Sequence, residues 1–166
     1  MSFLILFPFV IQTLVIMIDE FYFHLRRGLP KWERLGHPLD TLTVLACFAF
    51  ILFVPYSSFA LKIYIAMAIF SCIFVTKDEF VHKECCPASE QWLHALLFLN
   101  HPVVLTAAGL IWPFTSRVGG PSWLCGIAPY AGMMQRFLLV QTGAIALFFL
   151  YQLIYWNLIW KDKVPE

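Results

Sequence analysis

Two stretches of the chain carry acid and imidazole at repeated spacing. Asp19 to Asp40 reads DEFYFHLRRGLPKWERLGHPLD, and Asp78 to Leu96 reads DEFVHKECCPASEQWLHAL. Both contain Asp-Glu-Phe, then a histidine (His24, His82), then Pro-x-x-Glu-x-x-x-His: Pro30, Glu33 and His37 in the first, Pro87, Glu90 and His94 in the second. This is an internal duplication, and it copies carboxylates and imidazoles while leaving the linkers free to differ. On a helix Glu20 and His24, Glu33 and His37, Asp78 and His82, and Glu90 and His94 are i,i+4 pairs, each pair on one face and able to bind one ion together. The stripe continues to Asp40 in the first copy. In the second it continues to His101, about 16 Å from the start of its helix at ~1.5 Å per residue.

Carboxylate plus imidazole is a ligand set for iron, manganese or zinc, and the number of ligands points to two ions bridged by a carboxylate, with iron the metal expected. The candidate ligands are Glu20, His24, Glu33, His37, Asp40, Asp78, Glu79, His82, Glu90, His94 and His101. Which of Asp19 and Glu20, and which of Asp78 and Glu79, turns inward is left open, because the shorter spacer of the second copy shifts its register by one. For a single acid near Lys or Arg, an interfacial salt bridge is the ordinary explanation. Glu33, His37, Glu90 and His94 are duplicated while Lys31, Arg34 and the Arg26-Arg27 pair are not, which reverses that preference. His101 is either a ligand or a core histidine bonded to Asn100 or Thr106. Two helix histidines also suit haem b, but haem ligation does not call for an acid beside each imidazole. Cys85-Cys86 reads as part of a turn.

At the level of ligand chemistry alone, the pattern resembles the ferritin-like di-iron carboxylate proteins, in which helix pairs of a four-helix bundle supply Glu and Glu-x-x-His. The spacing here is Glu-x-x-x-His, and the ligands fall at helix ends. Other catalytic templates are missing: there is no HExxH, Gly-x-Ser-x-Gly, P-loop or dinucleotide fingerprint, and five histidines are too few for the eight-histidine desaturase pattern.

The elements that must hold these residues are set by composition. Of 166 residues 61% are hydrophobic and only 13% charged, against the roughly 25% charged of a soluble domain. Met1 to Ile18, Thr41 to Leu61 and Phe137 to Trp160 hold no or almost no charge and approach or exceed the ~20 residues that cross a bilayer. An all-α integral membrane protein in one domain follows, with five transmembrane helices: two duplicated pairs (about 1–56 and 57–114) forming a four-helix bundle, a segment at 115–132, and a fifth helix at 133–160. A cleavable signal peptide fits the N-terminus poorly, since no basic residue precedes the apolar run and Asp19-Glu20 stand where it should end.

In detail, the first span is expected from Ser2 to about Phe23, and Arg26 to Pro38 as a polar connection broken by Gly28, Pro30, Gly36 and Pro38. The second is expected over Leu39 to Val54, with a turn at Pro55 to Ser58. The third runs from about Phe59 to Thr76 and on to His82. The fourth is capped by Ser89 and ended by Pro113. The 115–132 segment lies in the interface or re-enters, and the fifth helix ends in a membrane-face belt of Tyr151, Tyr155, Trp156 and Trp160.

Eight of the eleven Lys and Arg, and all ten Asp and Glu, fall on the side of the duplicated stretches and the C-terminus. That side is therefore cytoplasmic, the N-terminus outside, in a multi-pass protein of a bacterial inner membrane. No basic run exists to bind nucleic acid. The function expected is a di-metal oxidoreductase that hydroxylates, desaturates or oxidises a lipid-phase substrate, surrounded by membrane lipids and fed by a cytoplasmic electron donor. The alternatives are a non-enzymatic metal-handling protein or complex subunit, and a metal-dependent hydrolase using metal-bound hydroxide.

Overall fold

A computed structural model describes residues 2–78 and 87–160, and is helical with no strand among the described residues. Five helices are long and apolar enough to cross a membrane: α1 (Phe3–Arg27), α2 (Lys31–Phe53), α3 (Ser58–Lys77), α4 (Ala88–Thr115) and α5 (Ser122–Ile159). Runs of this length can satisfy every backbone N–H and C=O internally, which hydrocarbon demands. α5 packs along α2 and α1 along α4, while α4 also touches α2, α3 and α5.

The core lies between the helices around Phe9, Phe48, Leu105, Ile111, Trp112 and Met134. Two polar handles lock it: Tyr64 Oη donates to Leu105 O at 2.6 Å, and Trp112 Nε1 donates to Val54 O at 3.0 Å. Gly109 makes the α3–α4 approach possible, because a Cβ there would stand 2.8 Å from Tyr64 Cε1. Most large apolar residues outside this core, such as Leu14, Phe53, Phe59, Val140 and Leu147, face outward, as a hydrocarbon-solvated surface requires.

The Arg26 to Pro38 connection is far shorter than its breakers suggest. α1 runs on to Arg27 and ends at Gly28, whose φ of 78° is open to glycine and whose N–H donates to His24 O at 2.7 Å. α2 then starts at Lys31 and runs through Gly36 and Pro38. Pro38 has no N–H to give to Arg34 O, and the Asn157 side chain donates to that carbonyl instead, at 3.2 Å. A replacement donor on α5 removes much of the reason for the helix to break.

Other boundaries shift for similar reasons. Pro87, not Ser89, occupies the cap position of α4, and the helix passes Pro102 and Pro113 to end at Thr115. Pro113 lies in the last turn, where it removes a single hydrogen bond. The turn at Pro55 to Ser58 is as expected, with Ser57 Oγ accepting from Ala60 N at 3.1 Å. α3 tightens into a 3₁₀ turn at Val75–Asp78, and its expected extension to His82 lies outside the described residues. The 115–132 segment contains a 3₁₀ helix, Ser122–Tyr130, that leads directly into the α-helical part of α5, Ala131–Ile154.

Candidate metal centre

The Pro-x-x-Glu-x-x-x-His part of the duplicated motif folds the same way twice. Pro30 (φ −61°, ψ 156°) and Pro87 (φ −65°, ψ 155°) have nearly identical backbones, and each is followed at once by a helix. Glu33 and Glu90 are then third in their helices, where the helix dipole favours a carboxylate, and His37 and His94 stand one turn later. The two glutamates meet across one cation: Arg27 Nη2 lies 3.0 Å from Glu33 Oε2 and 2.9 Å from Glu90 Oε1. Arg27 had the sequence signature of a topology-setting charge; its position gives it a direct role in the cluster.

α1 supplies the rest through a local change of helix type. Asp19–His24 is a π-helix, with i→i+5 hydrogen bonding. A regular α-helix would place only Glu20 over His24, whereas the wider turn brings Asp19 as well. Both acids are buried. They do different things. Asp19 Oδ2 lies 3.4 Å from His24 Nε2, and Asp19 Oδ1 lies 3.1 Å from His94 Nε2. Glu20 turns the other way, with Oε2 at 3.4 Å from His24 Nδ1 and Oε1 accepting from Trp156 Nε1–H at 2.6 Å. Glu20 is thus a buttress that directs His24 Nε2 at the centre, an arrangement common behind metal-binding imidazoles, and Asp19 takes the inward position.

Asp19, His24, Glu90 and His94 form a buried group whose ligand atoms all lie within 4.8 Å of one another, and His24, Glu33 and the partly buried His37 form a second group within the same distance. Such a cluster of Asp, His and Glu is able to hold a metal ion. Ligands ~2.1 Å from a common tetrahedral ion stand about 3.4 Å apart. Here His24 Nε2 is 3.4 Å from Asp19 and 3.7 Å from Glu90 Oε1. His24 Nε2 is buried and makes no hydrogen bond among the described residues. The two groups share His24, whose Nε2 serves one ion at a time. His37 is more loosely placed, 3.9 Å from Glu33 Oε2, with its ring 4.7 Å from that of His24.

Of the eleven sequence candidates, His24, Glu33, His37, Glu90 and His94 come together, with Glu20 behind them. Asp40 does not join: it pairs with Lys77 Nζ at 2.6 Å. His101 lies deeper and is held by Ser71 Oγ at 3.0 Å, while its expected partner Asn100 bonds Pro8 O and Gln12 Oε1. The side chain of Asp78, together with Glu79, His82 and Cys85-Cys86, lies outside the described residues. Trp156, expected in a membrane-face belt, is fully buried against Glu20. Nothing in its local sequence distinguishes it from Trp160.

The cluster opens onto a cavity of about 260 Å³. Asp19, His24, His37 and His94 form one end, and its walls are largely apolar, among them Ile16, Val44, Phe48, Leu97, Val104, Ile145 and Phe148. No family model, curated protein or solved structure matches the chain.

Proposed function

We propose that this chain is a membrane-embedded metal oxidoreductase that acts on a lipid-phase substrate. The observation that carries the reading is the buried carboxylate–imidazole cluster at the end of an apolar cavity, between helices of membrane-crossing length.

Charge supports a cation there. Among the described residues Asp19, Glu20, Glu33 and Glu90 are all buried, and Arg27 pairs with Glu33 and Glu90. Buried carboxylates are costly unless paired, and a divalent cation among them lowers that cost. The first ion belongs to Asp19, His24, Glu90 and His94. The second belongs to Glu33 and His37. Iron is the metal of choice for this ligand set, with manganese or zinc as substitutes.

Iron supplies O2 activation. The protein's own groups then act around it: Glu20 and Trp156 fix the His24 ring, Arg27 holds Glu33 and Glu90, and the cavity walls exclude water and orient an apolar substrate. Helices α1, α2 and α4 supply the cluster, and α5, packed along α2, adds Trp156. The cluster lies at the cytoplasmic face, within reach of a soluble electron donor. Hydroxylation would balance as substrate C–H plus O2, two electrons and two protons, giving C–OH and water.

The test is O2 uptake by purified protein loaded with Fe(II) in vesicles of membrane lipid, with a one-electron reductant. The reading expects uptake coupled to a lipid product that has gained an oxygen atom or lost two hydrogens. Iron-loaded protein that consumes no O2 above free iron would overturn it.

A further inference from the structure

One buried polar chain plays no part in the metal cluster. Thr43 on α2, Ser71 on α3 and His101 on α4 are linked by Oγ1···Oγ at 2.7 Å and Oγ···Nε2 at 3.0 Å. The direction of the chain follows from its far end. Thr43 Oγ1 donates its only proton to Asp40 O at 2.8 Å, and a carbonyl can only accept. Ser71 must then donate to Thr43, so its hydroxyl can only accept from His101. His101 is therefore the neutral Nε2–H tautomer, and its Nδ1 is a lone-pair acceptor.

His101 also lines the cavity, seven residues below His94 on α4, about 10 Å at ~1.5 Å per residue. The walls are mostly apolar, with Gln12, Thr41 and Gln152 among the few other polar side chains, and an acceptor there selects a donor, because a buried polar group left unmatched costs binding energy. At about 260 Å³ the cavity exceeds the ~150 Å³ that holds benzene by enough for ring substituents, but is too small for a whole long-chain lipid. A tail has a way out: Thr13, Met17 and Ala144 line the cavity and are exposed on the lipid-facing surface between α1 and α5.

We infer that the cavity binds the ring-sized, hydroxyl-bearing head of a membrane lipid, a phenol or quinol, with one O–H donated to His101 Nδ1 and the tail leaving between α1 and α5. This rests on the metal-oxidoreductase reading only for what happens to the head once bound. A ring spans the space between His101 and the metal cluster, so its far side would face Asp19 and His94.

The probe pair is a decyl-substituted 1,4-dihydroxybenzene and its di-O-methyl ether, with binding to the full chain measured in detergent by anaerobic titration of tryptophan fluorescence. The dihydroxy compound is expected to bind wild type roughly 3- to 10-fold more tightly than the ether, as one hydrogen bond predicts. His101→Leu is expected to abolish that preference, and His101→Gln, which keeps an acceptor, to restore part of it. Equal binding of the two probes to wild type would overturn the inference, and this comparison needs no variant to fold. A preference that survives in a folded His101→Leu would overturn it too. Metal content measured on the same samples separates the two readings: a His101-dependent preference in metal-free protein keeps the lipid site and sinks the metal one.

Discussion

Trp156→Phe removes one hydrogen bond and little else. Phenylalanine keeps most of the ring packing against Tyr155 and Trp160, whose centroids lie 5.1 and 4.9 Å away. It loses the Nε1–H that holds Glu20 Oε1 at 2.6 Å. Glu20 is 1% exposed, so water does not replace the donor, and leaving such an acceptor unmet costs about 1–3 kcal/mol. The consequence passes to the centre through Glu20 Oε2, which sets the His24 ring from 3.4 Å. Loss of Glu20 itself, the outer-shell partner of His24, would weaken metal affinity by about 10–100-fold, or roughly 1.4–2.7 kcal/mol, and this is the ceiling for Trp156→Phe, in which Glu20 stays in place. Competition titration of Fe(II) or Zn(II) against a chelator reads this directly. Trp160→Phe, in the same aromatic group, is the control and should leave affinity unchanged. A Trp156→Phe protein that is folded and binds metal as tightly as wild type would refute the role of Trp156 in holding Glu20 against His24.

Arg27→Ala leaves Glu33 and Glu90 without their shared cation and should destabilise the metal-free protein by about 3 kcal/mol, with thermal melts showing a larger metal-induced rise than in wild type. Asn157→Leu should cost about 1 kcal/mol by stripping the donor from Arg34 O; in Pro38→Ala, where a backbone N–H is available again, the same change should be close to neutral. Gly109→Ala forces Tyr64, which is buried and tied to Leu105 O, out of place, and should destabilise by about 1–3 kcal/mol in chemical denaturation.

The helical spans were legible because hydrocarbon imposes a length and a composition that a single sequence displays. The duplicated Pro-x-x-Glu-x-x-x-His motif was legible too, since Pro30 and Pro87 start their helices in the same backbone conformation. Local breakers misled where a distant residue compensates: Pro38 is tolerated because of Asn157, which lies 123 positions from Arg34. The choice between Asp19 and Glu20 depended on the helix type at Asp19–His24, which α-helical spacing does not anticipate. Trp156, Ser71 and the pairing of Asp40 with Lys77 are tertiary facts, fixed by how α5 and α3 pack against the cluster. Arg27 carried no signal beyond its charge.

Elemental analysis of the purified protein tests the central claim most directly, beside the Glu33→Ala and Glu90→Ala variants. The account predicts stoichiometric iron, manganese or zinc in wild type, with metal lost in Glu90→Ala, whose carboxylate belongs to the fully buried group of four. Wild-type protein that is folded, free of metal as purified and unable to take up any of the three ions would contradict it.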